Sequence, residues 1–151
     1  MKVKSLRIDL ELIKKVKNVR VVMVDPQLTI GRINFLSSKI HEVFVQLEKL
    51  DVEVRSRRFR LSKAPSSLDE LEREEKEFFT IVANDITTNT IVMIRLVNTS
   101  LERAVRLTYF LKEKQPDATI VYGGSAATLL ANQGPTLNPL YLAPVAVLVV
   151  G

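Results

Sequence analysis

Polar residues suited to ligand binding follow three apolar runs of this 151-residue chain. They lie in the segments 25–31, 98–100 and 123–125, which read DPQLTIG, NTS and GGS. These segments offer amides, hydroxyls and glycines. They lack the group of acids, bases and nucleophiles that general acid–base or covalent catalysis needs within hydrogen-bonding reach. The pattern therefore indicates a binding crevice, and we expect no catalysis by the isolated chain.

Metal and redox chemistry are restricted by composition. The chain has no cysteine, which excludes disulfides, thiol catalysis, thiolate-bound zinc and an iron–sulfur cluster held by this chain. Its single histidine, His41, cannot form a multi-histidine metal site within one subunit. We predict that His41 is structural or solvent-exposed and that the chain has no metal ligands.

Short apolar runs alternate with segments of helical periodicity. The predicted strands are 19–24, 52–60, 90–97, 118–122 and 145–150, and the predicted helices are 32–50, one capped by Ser66 or Ser67, one capped within 98–100 and ending before Gln115, and 125–132. The segment 78–83 is compatible with both a helix end and a strand. The first strand is expected to end at Asp25-Pro26.

This alternation predicts an α/β fold. Nearly uninterrupted apolar strands favour a parallel sheet with helices on both faces, and five strands suggest the flavodoxin-like (Rossmann-like), doubly wound order 2-1-3-4-5. In such a sheet a ligand binds beyond the carboxyl ends of the strands, where the strand order reverses. The three polar segments follow such ends. The second strand would be an edge, and charge on an edge strand prevents association between sheets. Its arginines are Arg55, Arg57, Arg58 and Arg60.

Two features of the polar segments have two interpretations each, and Arg95, just before one of these segments, has three possible partners. Asp25 either caps its turn through its side chain or contributes to a ligand or Mg²⁺ site with further acids. Gly123-Gly124 either forms a tight turn or allows a ligand to approach the backbone. Arg95 lies in an apolar strand, where unpaired burial is expensive, so we expect it to contact solvent, a carboxylate or an anionic ligand such as a phosphate.

Charge is distributed unevenly along the chain. Residues 1–20 hold seven basic and two acidic side chains, which equals the whole net charge of +5. We predict a basic N-terminal extension, 1–18, that either contacts an acidic partner or packs on an α/β domain spanning 19–151. The acidic segment 69–77 is expected to be a solvated helix face that interacts electrostatically with the arginines of the second strand.

No apolar run is long enough to span a membrane and no signal-peptide core is present, so we expect a cytoplasmic protein. The composition is also compatible with a thermophile.

The last 34 residues, 118–151, carry no charged side chain. Such a segment is either buried or covered by a macrocyclic cofactor, a second subunit or a following domain. The residues expected to line this surface are Tyr122, Leu129, Leu130, Leu137, Leu140, Tyr141 and Leu142.

Part of the sequence resembles the cobalamin-binding domain family, in the form found at the N-terminus of radical S-adenosylmethionine enzymes. Thr99–Val105 and Leu111–Gly124 resemble the family's third helix and fourth strand. The segment 25–31 is similar to its D-x-H-x-x-G loop, and Ile94-Arg95-Leu96 falls where the family often has S-x-L. The resemblance covers about 19–151 and is most specific over 90–124.

The resemblance implies a cobalamin-binding module that is non-catalytic alone and acts as the binding domain of a radical S-adenosylmethionine system. Gln27 occupies the position of the family's cobalt-ligating histidine, so the cofactor would bind without histidine ligation from this chain. Ile94 has no hydroxyl for the displaced nucleotide base. The implied cofactor-binding residues are Asp25, Gln27, Gly31, Ile94, Arg95, Leu96, Asn98, Thr99, Ser100, Gly123, Gly124 and Ser125.

Two alternatives stay open. One is a degenerate, cofactor-free module that dimerises or docks, for example on a radical S-adenosylmethionine catalytic domain, through its uncharged C-terminal third. The other, which we do not favour, is a basic adaptor that binds nucleic acid through the N-terminal extension and the arginine-rich strand.

Overall fold

The fold comes from a computed structural model of the chain, which describes residues 2–5, 19–31, 49, 52–128 and 147–150. Its strands are β1 (Lys2–Ser5), β2 (Arg20–Ile30), β3 (Glu53–Leu61), β4 (Thr90–Arg95), β5 (Thr119–Gly123) and β6 (Val147–Val150). The helices are α1 (Leu68–Asn84) and α2 (Leu101–Lys114), and a 3₁₀ turn at Asn98–Ser100 precedes α2. Residues 125–128 form one further helical turn.

The strands form one sheet in the order β1-β6-β5-β4-β2-β3, and all the described pairs are parallel. The predicted α/β class with a parallel sheet is therefore confirmed. The predicted count of five strands is wrong, because β1 pairs with β6 and gives six strands among the described residues. The side chains are described in four of them: β3, β2, β4 and β5.

The main core lies between these four strands and the two described helices. Valine, isoleucine and aromatic residues of the strands point to one face, where they pack against α1 and α2. Both helices lie on this face because the β3-to-β4 and β4-to-β5 crossovers run in the same direction and parallel crossovers are right-handed. The core includes Val22, Val24, Phe59, Val92, Ile94, Ile120 and Tyr122 from the strands and Phe78, Phe79, Val82, Ala104, Leu107 and Leu111 from the helices.

A smaller apolar cluster occupies the other face of the sheet. Val19, Val21 and Met23 are buried there, and Ile91 and Met93 pack against them. The helix predicted at 32–50 lies outside the described residues except for residue 49.

Strand β2 continues past the predicted stop at Asp25-Pro26. Its pairing with β4 ends at Val24, and its pairing with β3 is irregular between Asp25 and Thr29. Pro26 therefore falls where the ladder is already interrupted, and its missing N–H removes no regular hydrogen bond. A strand can include such a proline, so the predicted end at residue 24 was wrong.

Helix α1 begins at the predicted cap. Ser67 Oγ accepts a hydrogen bond from the Glu70 N–H at 3.1 Å, and a Glu70 carboxylate oxygen accepts one from the Ser66 N–H at 2.8 Å. The pair resembles a capping box, but Glu70 accepts from Ser66, the residue before the cap, and not from the N–H of Ser67 itself. The ambiguous segment 78–83 is helical, because α1 runs to Asn84 with Phe78 in the core.

Helix α2 begins where predicted but without the expected cap. Residues Asn98–Ser100 form a 3₁₀ turn, and no side-chain hydrogen bond caps the helix. The helix ends at Lys114, as expected from Gln115-Pro116. Strand β5 is shifted by one residue at each end from its predicted range 118–122. Strand β6 is described over Val147–Val150, which falls within its predicted range 145–150. None of the helices in the described part of the chain is long and apolar enough to cross a membrane.

Candidate functional site

Residues at the carboxyl ends of β2, β4 and β5 meet at one edge of the sheet, which we call the carboxyl rim (residues 25–31, 95–100 and 123–125). Arg95 Nη1 donates to Asp25 Oδ2 at 3.0 Å and to Gln27 Oε1 at 3.4 Å. The N–H of Leu96 donates to the Gly123 carbonyl at 2.6 Å. Side chains and backbone of three neighbouring strands therefore converge at one place, as the parallel sheet predicts.

Both carboxylate oxygens of Asp25 accept hydrogen bonds. Its Oδ1 accepts the Gln27 N–H at 3.1 Å, which closes the turn, and its Oδ2 accepts from Arg95. The turn-capping interpretation of Asp25 and the expected carboxylate contact of Arg95 are thus both observed. Within the described ranges, no three histidine, cysteine, aspartate or glutamate side chains form a group that would hold a metal ion.

Gly124 is required by the fold itself. Its φ is +106°, and a Cβ at this position would lie 2.7 Å from the Leu96 carbonyl oxygen. The Ala126 N–H donates to that same oxygen at 3.2 Å, so the turn after β5 rests directly on the end of β4. The tight-turn interpretation of Gly123-Gly124 accounts for this close approach. Gly31 also has a positive φ, +83°, but open space surrounds its missing side chain.

Three of the predicted binding residues have buried side chains. Ile94 in β4 and Leu96 just after β4 are 1% and 0% exposed, because both side chains pack in the main core. Ser100 is 1% exposed, and its Oγ lies 3.4 Å from the Val97 carbonyl oxygen. A contact between these three residues and a ligand on the carboxyl rim therefore stays a prediction.

The remaining predicted residues are accessible. Asn98, Thr99, Gly124 and Ser125 are exposed. The other five, Asp25, Gln27, Gly31, Arg95 and Gly123, are half-buried. The carboxyl rim therefore presents one amide, two hydroxyls and glycine backbone to solvent around the Asp25–Arg95 ion pair.

Arg103 is a residue of this region that sequence reasoning missed. It projects from the first turn of α2, donates from Nη1 to the Pro26 carbonyl at 3.2 Å and from Nε to Glu75 at 2.9 Å, and its guanidinium lies 4.9 Å from the centre of the Phe59 ring. Arg103 thereby ties the irregular part of β2 to both helices. Its spacing of three from Arg106, which places the two on one helix face, was the available signal.

Glu75 is the acceptor for both of these arginines. Arg106 Nε donates to it at 2.8 Å. Burial acts to raise the pKa of Glu75, but the hydrogen bonds from Arg106 and Arg103 outweigh it, so the pKa is lower than usual. The acidic segment 69–77 was expected to interact electrostatically with the arginines of β3. Glu75 in this segment instead binds two arginines of α2, Arg103 and Arg106.

The arginines of β3 hold loops within the chain. Arg57 donates from Nε and Nη2 to the two carboxylate oxygens of Asp85 at 2.5 and 3.0 Å, and Arg55 Nη1 donates to the same group at 3.1 Å. Hydrogen bonds from Arg57, and then from Arg55, lower the pKa of Asp85 although burial opposes this shift. Arg60 Nε donates to the Gly31 carbonyl at 2.8 Å. Edge protection alone therefore does not explain this basic run.

Tyr122 belongs to the core and not to an exposed apolar surface. It is 0% exposed, its hydroxyl lies 2.6 Å from Thr108 Oγ1, and burial raises its pKa. Burial within the sheet is thus the outcome for this part of the uncharged segment. The other residues predicted to line that surface, Leu129, Leu130, Leu137, Leu140, Tyr141 and Leu142, lie outside the described residues, as does His41.

Comparisons of this chain with protein-family models, with curated proteins and with solved structures found no match.

Proposed function

We propose that this chain is a non-catalytic binding module with a flavodoxin-like sheet, of the cobalamin-binding type, whose ligand lies over the carboxyl rim. Counted from β2, the order β3-β2-β4-β5-β6 corresponds to 2-1-3-4-5. The strand order reverses between β2 and β4, which is where open parallel sheets bind ligands. The observation that carries the proposal is the meeting of Gln27, Arg95 and Gly124 at this point.

The rim residues fit a corrin lying on the surface better than a nucleotide tail buried beneath it. Asn98, Thr99 and Ser125 are exposed and can exchange hydrogen bonds with the amide side chains of a corrin. Between β4 and β5, however, the backbone of Leu96 bonds directly to Gly123 and Ala126, which leaves no gap for a tail at that position. Bound cobalamin would supply a cobalt centre, and position 27 offers it an amide instead of an imidazole.

The rim chemistry supports binding over catalysis. Both Asp25 oxygens are engaged, one by Arg95 and one by the Gln27 N–H. These two contacts hold the carboxylate in place within the protein and leave it poorly placed to take a proton from a ligand. We therefore assign Asp25 to shaping the rim.

The alternatives gain less from the structure. A nucleic acid on β3 would compete with the internal acceptors of Arg55, Arg57 and Arg60. Docking or dimerisation through the uncharged C-terminal third involves mainly residues 129–146, which lie outside the described part. A second copy or a radical S-adenosylmethionine catalytic domain remains the partner that we propose for that segment.

The test is a titration of the purified chain with hydroxocobalamin, read by absorbance and by thermal unfolding. Binding should saturate and should raise the stability by about 2.7 kcal/mol when the free ligand is at 100 times its Kd. Gly124→Arg is unsuitable as a rim variant, because any Cβ there meets the Leu96 carbonyl. Thr99→Arg is suitable, because Thr99 is exposed at the carboxyl end of β4.

Thr88→Arg is the matched control, because Thr88 is also an exposed threonine and lies just before the opposite, amino end of β4. We expect Thr99→Arg to weaken binding at least about tenfold, a loss of 1.4 kcal/mol, and Thr88→Arg to bind like the wild type. An absence of saturable binding in the wild type, or equal weakening by both variants, would refute the proposal.

A further inference from the structure

A row of charged residues crosses the sheet at the carboxyl rim. Asp25 is in register with Arg58 of β3, and Arg95 is in register with Gly123 of β5. Asp25 and Arg95 follow the paired residues Val24 and Ile94 and are joined by their ion pair. Residues in register on parallel strands project to the same face, here the face of Met23 and Met93. We call the set Arg58, Asp25, Arg95 and Gly123 the charged row.

The central ion pair of the charged row can be reached from solvent. It lies where the strand order reverses, and the side chains of Arg95 and Asp25 are 25% and 16% exposed. A guanidinium that solvent reaches favours an anion over a cation as its ligand.

Arg95 has donors to spare. Both of its described hydrogen bonds, to Asp25 and Gln27, leave from Nη1. Nε and Nη2, which form the side edge of the guanidinium, have no hydrogen-bond partner among the described residues. That edge is the one that binds an oxyanion with two parallel hydrogen bonds, and Arg57 uses its own side edge in this way on Asp85.

Space is left beside this guanidinium by the next strand. The residue in register with Arg95 on β5 is Gly123, which projects no side chain from the sheet. Asp25 lies on the opposite side, toward β2. Asp25 therefore fixes the guanidinium of Arg95 on one side, and Gly123 leaves room next to it on the other.

We propose that Arg95 binds an oxyanion of the ligand, a phosphate or carboxylate group, through Nε and Nη2 while Nη1 stays on Asp25. In this arrangement Asp25 is a positioning residue. The proposal rests on the proposed binding function, because both use the carboxyl rim, but it concerns the anionic group of the ligand and not the corrin.

Titrations with inorganic phosphate and with acetate, at constant ionic strength kept with chloride, test this assignment. The readouts are the Nε–Hε resonance of Arg95 in nuclear magnetic resonance spectra and the thermal unfolding midpoint. We expect a saturable shift of that resonance with at least one of the two anions. The anion that binds more tightly identifies the group as a phosphate or a carboxylate.

Three variants define the site. Arg95→Gln should weaken binding about tenfold or more, because it removes a charged hydrogen-bond donor. Arg95→Lys, which keeps the charge but loses the paired donors, should bind with intermediate affinity. Arg106→Gln is the matched control, since Arg106 is an exposed arginine bound to Glu75 on α2. If Arg95→Gln does not unfold cooperatively in urea, Arg95→Lys and the wild-type resonance decide the matter.

The outcomes separate this inference from the cobalamin proposal. If phosphate or acetate moves the Arg95 resonance and hydroxocobalamin does not bind, the oxyanion site stands and the corrin proposal falls. If hydroxocobalamin binds but neither anion moves that resonance, the oxyanion site is refuted. Equal weakening by Arg95→Gln and Arg106→Gln would also refute it, because binding would then reflect net charge alone.

Discussion

Replacing Asp85 by asparagine should destabilise the chain by about 2 kcal/mol, because it removes the charge that two arginines of β3 share. Asp85 follows the last residue of α1, and its side chain is 5% exposed. Arg57 binds it with two nitrogens and Arg55 with one. Hydrogen bonds to a charged group contribute about 1.5–3 kcal/mol each when protected from solvent. The arginine side chains are 38% and 43% exposed, so screening reduces this to roughly 1 kcal/mol per arginine.

The same contact predicts how stability depends on pH. Arg57, and then Arg55, lower the pKa of folded Asp85 below its ordinary value of 3.8. A carboxyl group whose pKa is lower in the folded state stabilises the fold above the unfolded pKa, and this contribution is lost as the pH falls through the folded pKa. The wild type should therefore lose stability below about pH 4 more steeply than Asp85→Asn does.

Urea unfolding followed by circular dichroism at several pH values measures both effects. Asp117→Asn, an exposed aspartate in the loop before β5, is the control and should change stability by less than about 0.5 kcal/mol. A double-mutant cycle of Asp85→Asn with Arg57→Gln should give a coupling energy of about 1 kcal/mol. The reasoning fails if Asp85→Asn is as stable as Asp117→Asn at neutral pH, or if the coupling is zero.

Two further predictions concern the packing beneath the carboxyl rim. Gly124→Ala should lower the free energy of unfolding by more than about 2 kcal/mol, because the new Cβ would meet the Leu96 carbonyl and the φ is positive. Gly31→Ala should lower it by only about 1 kcal/mol, the cost of the left-handed backbone alone. Urea unfolding compares the two variants, and equal losses would show that the close approach at Gly124 costs nothing. Tyr122→Phe should lower the free energy of unfolding by about 1 kcal/mol, because the Thr108 hydroxyl keeps its hydrogen bond to the Ala104 carbonyl. A loss above about 3 kcal/mol in the same assay would show that the Thr108–Tyr122 hydroxyl pair does more than satisfy two buried groups.

The sheet could be predicted from sequence because the described core strands have a distinctive amino-acid composition. The runs that form β2, β4 and β5 are β-branched and bounded by turn residues, and buried parallel strands need that composition on both faces. Strand β1 gives no such signal, because Lys2 and Lys4 interrupt its four residues. Its assignment to the sheet depends on pairing with β6, a contact almost the whole chain length away. No local pattern encodes a contact of that range.

The end of β2 was mispredicted for a related reason. Asp25-Pro26 is a turn signal by composition, and a turn does form there, closed by the Asp25 side chain. The strand nevertheless resumes on the β3 side, where Thr29 and Ile30 pair with Arg60 and Leu61. A turn residue marks an interruption of one ladder, and only the neighbouring strands decide whether the chain leaves the sheet.

The ion pairs show which properties of charged residues can be predicted from sequence and which cannot. It required Arg95 to have a partner, because an unpaired charge in an apolar strand is costly, and that requirement is met by Asp25. It did not identify which carboxylate would meet which arginine: Asp85 and Glu75 each bind two arginines from another element, 28 to 31 residues away along the chain. The need for compensation is local, but the compensating group is chosen by the topology. For the same reason, an arginine-rich strand is weak support for a nucleic-acid surface until the internal carboxylates that its fold brings near have been placed.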